Sequence, residues 1–310
     1  MDIDFKKLEL EDQETFDRYL NFYQPIAGEL TFSNLHMWDC TYNAYFTEYE
    51  GFLCVVCGYD GDRFSFMPID SIGIDVVPRL AKTMDMLWAH FESHPNNLTF
   101  RRTTKAESDL LVEAAKMLGY KAVSEYDRDN SDYVYRYEEI SGLQGKKYHA
   151  KRNHIQNLIN NENPEYLKLS TDLIPDCVKI LEDWHADKIN DSEMQCEKQS
   201  SMTLLENFEK YGRCKGAVIK VNGVAKAYTI GQMLNQTTLV VHAERADPSI
   251  RGLYPYVNQQ FLLNEWPGII YVNREQDCGS EGLRKAKLSY HPDHFIEKYV
   301  VAIDYGGEIL

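Results

Sequence analysis

The sequence predicts an α+β chain of two tandem domains, each a mixed, mainly antiparallel sheet flanked by helices. Three observations lead there. The 310 residues correspond to about two domains of ordinary size, and with 44% hydrophobic and 12% aromatic residues each half can bury its own core. The two halves show the same order of elements (helices, three antiparallel strands, helix, strand, helix, strand) without any repeat at the residue level. A short polar segment with two glycines, 139–145, separates them, so the expected domains are 1–140 and 141–310.

In the first half, helices are expected near Asp12–Tyr23 and Ser33–Tyr42. Strands follow around Tyr45–Tyr49, Phe52–Cys57 and Arg63–Met67, broken by Glu50-Gly51 and by 59–62 as turns. Leu80, Met84, Leu87, Trp88 and Phe91 recur at helical spacing within 75–93. A strand at 98–102 precedes a helix at 105–118 that stops at Gly119, and a hairpin is expected from 121–126 and 133–137. In the second half, helices are expected from about 146 to 160, at 175–188 and at 201–211. Strands 216–221 and 224–231 flank Asn222-Gly223, the strongest short hairpin signal, and a third strand covers 237–244. A loop at 246–252, a helix at 255–266, a strand at 269–273, a helix at 281–289 and a strand at 295–303 complete the chain. The four tryptophans, Trp38, Trp88, Trp184 and Trp266, read as core anchors.

The net charge of −15 is unevenly placed. Residues 1–140 carry 13 basic and 26 acidic side chains and residues 141–310 carry 20 and 22, so only the second half suits a polyanion. Seven cysteines, an odd number thinly spread, suit a reducing compartment. Cys54 and Cys57 fall on opposite faces of a strand and cannot share a metal; no metal site is expected. No apolar run approaches the roughly 20 residues of a membrane span, and the acidic first residues do not form a signal peptide. A cytoplasmic protein is expected, at most peripheral to the inner face of the membrane, without stable insertion.

Three stretches can carry chemistry. The densest is 273–290, where Asn273, Arg274, Glu275, Asp277 and Gly282 crowd the carboxyl end of a strand beside a turn and a helix start. Open sheets bind ligands at such places, and these residues are the expected substrate contacts. On the helix that follows, Arg284 and Lys287 stand at i and i+3, so both can converge on one anionic group. The second stretch is His242–Tyr254. His242 and Glu244 share a strand face while Arg245 points away, and Arg251 and Gly252 lie in the loop before a helix. The third is the basic run 146–154, with Lys147, Lys151, Arg152 and His154 as candidate nucleic-acid contacts and Tyr148 and His149 able to stack on bases. A Gly-x-Ser-x-Gly elbow and a phosphate-binding P-loop are both missing from the sequence.

The order of elements resembles the acyl-CoA N-acyltransferase (GNAT) fold, and two copies in one chain resemble the Fem-type aminoacyl transferases. In the acyltransferases the loop before the last long helix cradles coenzyme A; here Ser249 and Tyr254 replace its usual residues and only Gly252 fits, which weighs against acetyl-CoA. The stretches 28–38, 151–155 and 273–292 resemble the phosphatidylglycerol lysyltransferase C-terminal-domain family over nearly the whole chain. That resemblance implies transfer of an aminoacyl group from aminoacyl-tRNA to a lipid such as phosphatidylglycerol, or to another hydroxyl or amine acceptor, with no cofactor. It places Arg284 and Lys287 in or beside the site. Lys287 or Arg284 would stabilise developing charge, and Glu244 or His242 would take the acceptor's proton. The lipid-modifying members carry a large transmembrane region that this sequence lacks. The alternatives are a coenzyme-A-dependent N-acetyltransferase and a non-catalytic binding module of the same fold. The first domain is expected to be a degenerate partner of the second.

Overall fold

The structure, a computed structural model, describes residues 3–58, 63–91, 98–186 and 192–304. Its contacts divide into two units. The first takes the chain as far as Asp132, Gln276–Gly279 and the C-terminal segment from Ile296; the second takes Tyr133–Glu275 and Ser280–Phe295. The chain therefore changes unit at 132/133 instead of near 140, and the last strand returns to the first unit because it pairs there, Lys298 opposite Thr104 and Val301 opposite Phe100.

The first unit holds β1 (Lys6–Lys7), α1 (Gln13–Tyr23), α2 (Phe32–Met37), α3 (Asp39–Tyr42), β2 (Tyr45–Tyr49), β3 (Phe52–Cys57), β4 (Phe64–Ser65), β5 (Ile69–Asp70), α4 (Val76–Phe91), β6 (Thr99–Thr104), α5 (Lys105–Met117) and the start of β7 (Lys121–Arg136). All six residues of β3 are buried, which is why its pattern is continuously apolar. It pairs antiparallel with β2, β4 and β5. Leu80, Met84, Leu87 and Phe91 of α4 meet Leu111, Ala114 and Ala115 of α5 in one core. A capping box, Thr104 with Glu107, starts α5. Cys54 and Cys57 are free and buried, and burial pushes both thiols up. The turn expected at 59–62 and the end of the helix expected at 75–93 lie outside the described residues.

The expected hairpin at 121–137 is a correction: β7 is one strand of 16 residues. The run Arg128–Asp132 reads as a turn because it is polar, yet Ser131 and Asp132 are fully buried and satisfied. The Lys298 ammonium donates to Asp132 at 2.5 Å and to both Glu29 oxygens at 2.6 and 2.5 Å. Gly28 N–H donates to Asp132 at 2.8 Å, and Lys298 N–H to Ser131 Oγ at 3.2 Å. The buried charges hold one another inside the strand layer.

The second unit continues with α6 (Tyr137–Gly142), α7 (His149–Glu162), β8 (Pro164–Lys168), α8 (Ile174–His185), α9 (Ser192–Glu206), β9 (Lys215–Val221), β10 (Val224–Met233), β11 (Thr238–Ala246), α10 (Leu253–Glu265), β12 (Tyr271–Asn273), α11 (Glu281–Leu288) and the start of β13 (His294–Asp304). The strands run β7, β12, β11, β10, β9, β8, antiparallel except for the parallel pair β11/β12. Asn222 and Gly223 both have positive φ, 51° and 80°, as a two-residue type I′ turn requires. Edge strand β8 was not expected; it is short and opens on a proline. The helix expected at 201–211 is α9, which begins nine residues earlier and ends five residues earlier, and the end of the helix expected to reach 188 lies outside the described residues.

Candidate functional site

The parallel pair opens. Thr238, Leu239 and Val240 of β11 pair with Tyr271, Val272 and Asn273 of β12, and there β12 stops while β11 runs on to Ala246. Among the described residues, 241–246 have no strand on that side, so the carboxyl ends of two parallel strands splay, the place where such sheets bind ligands. A bulge in the β10/β11 ladder lies beside the opening. Ile230 pairs with Ala243 and Gly231 with Val241, so His242 is the extra residue. Bulges re-aim side chains at such places.

Glu244 and Arg274 close the splay from its two sides. Arg274 Nη2 donates to Glu244 Oε1 at 2.8 Å, and Asn258 Nδ2, from α10, donates to Oε2 at 3.1 Å. The Arg274 guanidinium lies 4.8 Å from the centre of the Tyr290 ring and 6.0 Å from that of Tyr135. Burial works against its charge, but Glu244 and the phenols more than offset that and the pKa is raised. Burial pushes the Tyr290 phenol up to about 12, with Arg274 opposing, so it remains an O–H donor at neutral pH. Two polar atoms of this group are buried without a partner, Arg274 Nη1 and Asn258 Oδ1. A donor and an acceptor so left are costly unless a ligand uses them.

Lys287 and His242 brace the site from behind. Lys287 is buried, and its ammonium donates to the carbonyls of Arg274 (2.6 Å) and Glu275 (3.0 Å). Tyr135 donates to the Lys287 carbonyl at 2.9 Å. Lys287 therefore fixes the backbone that carries Arg274. His242 Nδ1 lies 3.0 Å from Glu275 Oε1, with its side chain fully enclosed. Glu275 has φ 55°, a strained conformation for a non-glycine residue, and Asn273 Oδ1 accepts its N–H at 2.8 Å. Asn273, Arg274 and Glu275 thus act as one rigid corner. Arg245 points to the opposite strand face, as expected, 4.5 Å from the Trp184 ring and paired with Glu197.

The remaining expected residues are placed elsewhere. Arg284 is half-buried one turn before Lys287, whose ammonium is committed to backbone carbonyls, so the pair does not converge on one anion. Gly282 is exposed, with open space where a Cβ would stand. Asp277 belongs to the first unit, where Arg128 meets it at 3.2 Å and its Oδ1 accepts Gly279 N–H.

The basic run is engaged internally. Lys147 pairs with Glu139 at 2.7 Å. Arg152 donates to the Leu143 carbonyl and to that of Gly145 at 2.7 Å. His154 Nε2 lies 2.7 Å from Arg251 Nη2, and burial, then Arg251, lowers its pKa. Lys151 differs from these: it reaches the site, donating to Ser289 Oγ at 2.8 Å and standing 3.7 Å from the centre of the Tyr290 ring.

The loop before α10 is closed on itself. Ser249 N–H and Oγ–H both donate to Asp247, Ile250 N–H to the Asp247 carbonyl, and Leu253 N–H to the Ile250 carbonyl. Gly252, at φ 94°, is a glycine because a Cβ there would come within 2.4 Å of the His154 carbonyl oxygen. Tyr254 accepts from Trp184 Nε1 at 3.0 Å. The amides of Ser249, Ile250 and Leu253 are thus bonded within the loop itself.

Tyr290 lies within the polar stretch 273–290, but that its ring is shared by two cations, Lys151 and Arg274, is not visible from sequence. Tyr135 and Asn258 gave no signal, because each directly follows buried core residues, Tyr133 and Val134 in the first case, Tyr256 and Val257 in the second.

The family model for the C-terminal region of phosphatidylglycerol lysyltransferase matches residues 21–302. The chain belongs to that family. A conserved protein of unknown function from Bacteroides thetaiotaomicron is 30% identical, with TM-score 0.87 over 97% of this chain and 100% of that one. L-PGS from Bacillus licheniformis superposes with TM-score 0.66 at 14% identity, over 98% and 94% of the two chains. FemX does so with TM-score 0.56 at 7% identity, over 96% and 97%. These last two show the fold alone, the mixed, mainly antiparallel arrangement of GNAT-like and Fem-like proteins. A curated relative from Mycoplasmoides gallisepticum, an uncharacterized protein, is 25% identical over 189 residues; the match spans 58% of this chain and 60% of that protein. Among the described residues no helix is long and apolar enough to cross a membrane, and no cluster of metal-ligating side chains occurs.

Proposed function

We propose that this protein transfers an aminoacyl group from aminoacyl-tRNA to a hydroxyl or amine acceptor, with a phosphatidylglycerol-like lipid the leading candidate, at the splay of β11 and β12. Membership of the family and the Fem-like fold support acyl or aminoacyl transfer in general. The observation that carries the specific reading is the Glu244–Arg274–Asn258 group, with one donor and one acceptor unpaired at the mouth of a parallel strand pair.

An aminoacyl ester is already activated, so the protein has to position it, stabilise the oxyanion and move a proton. Arg274 Nη1 is the donor for the carbonyl oxygen as negative charge develops there. Asn258 Oδ1 accepts from the amino group of the aminoacyl moiety, with the Glu244 carboxylate beside it. Tyr290 supplies a second O–H donor. Lys287, His242 and Asn273 hold the corner that aims Arg274, and so position it without touching substrate. The reading takes no coenzyme: the Ser249, Ile250 and Leu253 amides are bonded within the α10 loop, and Tyr254 stands where a phosphate-binding loop needs a small residue.

Calorimetric titration with a non-hydrolysable 3′-aminoacylamido-adenosine, with acetyl-CoA in parallel, tests this. Binding of the adenosine compound, weakened about 10-fold or more in Arg274→Gln, is expected, the size of a lost charge-assisted hydrogen bond. Binding of acetyl-CoA alone would overturn the donor assignment.

A further inference from the structure

Transfer requires a group that takes the proton from the attacking hydroxyl or amine. Glu244 is turned to Arg274 and Asn258, and His242 is enclosed against Glu275. Lys151 is placed differently. Its Nζ stands over the same Tyr290 ring that Arg274 lies against, at 3.7 Å and 4.8 Å from the ring centre respectively. Its hydrogen bond goes to a neutral hydroxyl, Ser289 Oγ. Among the described residues no carboxylate lies within ion-pair distance of it, whereas Lys147, in the turn just before α7, has Glu139.

We propose that Lys151 is the base that removes the acceptor's proton, an assignment that rests on the aminoacyl-transfer reading above. The acceptor oxygen or nitrogen forms a bond to the ester carbonyl carbon, and its proton passes to the neutral Lys151 amine. The tetrahedral intermediate collapses with cleavage of the bond to the terminal ribose oxygen. The lysine ammonium returns the proton to that oxygen, so the base is regenerated and no further reactant is needed.

Among the groups facing Nζ, the Arg274 charge disfavours the ammonium, whereas the Tyr290 ring and the Ser289 hydroxyl can each hold it. Arg274 approaches from the end of β12, Ser289 and Tyr290 from the turn after α11, and His154, bonded to Arg251, from one turn along α7. Burial, then the Arg274 charge, lowers the Lys151 pKa to about 8. At pH 7.5 about a quarter of the molecules then carry the free amine, against about one in a thousand for an ordinary lysine.

The test is single-turnover transfer from aminoacyl-tRNA, followed from pH 6 to 9 in wild type, Lys151→Met and Lys151→Arg. Both variants are expected to lose about 10²–10⁴-fold in rate, the usual contribution of a positioned base, with donor affinity within about threefold of wild type. The wild-type rate should rise through an inflection near pH 8 that both variants lack. Arginine keeps the charge and the stem, so it separates a base from a cation that merely binds phosphate, and it serves if the methionine variant does not fold. Full activity in Lys151→Arg, or an unchanged pH profile, would overturn the assignment to Lys151 alone. Absence of transfer in wild type from every aminoacyl-tRNA tried would overturn the transfer reading and this assignment with it.

Discussion

Gly252→Ala separates two roles of one residue. In a coenzyme-binding acyltransferase a glycine here lets phosphate approach the backbone. In this chain the approach is made by α7: an alanine Cβ would stand 2.4 Å from the His154 carbonyl oxygen and 2.8 Å from its carbon, on a backbone at φ 94°. Left-handed backbone costs a non-glycine residue about 1–2 kcal/mol, and forcing an extra carbon into packed structure about 1–3 kcal/mol. The two add to roughly 2–5 kcal/mol on the packing of α7 against α10. Amide hydrogen exchange is the suitable assay, since a two-unit chain need not unfold in one step. Protection of buried amides in α7 and α10 should fall by at least about 30-fold, the equivalent of 2 kcal/mol. A change below about 0.5 kcal/mol, within the range of an ordinary surface substitution, would refute the packing argument.

Other outcomes follow from the same geometry. Gly282→Ala, where a Cβ meets nothing within 4 Å on an exposed helix, should stabilise by about 0.5–1 kcal/mol in thermal melts, and a clear loss of stability would contradict the placement. Lys298→Met leaves Glu29 and Asp132 buried without their cation and should destabilise the first unit by about 3–5 kcal/mol at pH 8. Burial raises the Glu29 pKa, with Lys298 opposing, so the deficit in urea titrations should shrink at pH 5 as carboxyls protonate; equal stability at both pH values would refute this. The Lys151 pKa is lowered, so between pH 8 and about 10.5 the unfolded chain holds more protons than the folded one and folded stability gains as pH rises. The difference between wild type and Lys151→Met should narrow or reverse in favour of wild type over that window, and a flat difference would contradict a depressed lysine.

Much of the fold was legible because its signals are local. Asn222-Gly223 set a hairpin, the 3.6-residue spacing of Leu80, Met84, Leu87 and Phe91 set α4, and the continuous apolar run Phe52–Cys57 set a strand buried on both faces. The failures share one cause. The run Arg128–Asp132 looks like a turn until Lys298, more than 160 positions later, is known to neutralise it inside a strand. The site shows the same division. The crowding of polar residues at 273–275 and the alternation of His242 and Glu244 on β11 point to the corner of the second unit where the structure brings Glu244 and Arg274 together. What those residues do depended on partners distant in sequence. Asn258 and Arg274 hold Glu244, two backbone carbonyls hold Lys287, and Tyr290 draws Lys151 out of a run that composition alone assigns to nucleic acid.

The measurement that bears most directly on the central claim is transfer itself. Purified protein is incubated with a mixture of radiolabelled aminoacyl-tRNAs and vesicles containing phosphatidylglycerol, with labelled acetyl-CoA in a parallel reaction, and label is followed into lipid and amine products. The account predicts label moving from aminoacyl-tRNA, abolished by Arg274→Gln, and none from acetyl-CoA. Transfer from acetyl-CoA, or transfer from aminoacyl-tRNA that survives Arg274→Gln undiminished, would contradict it.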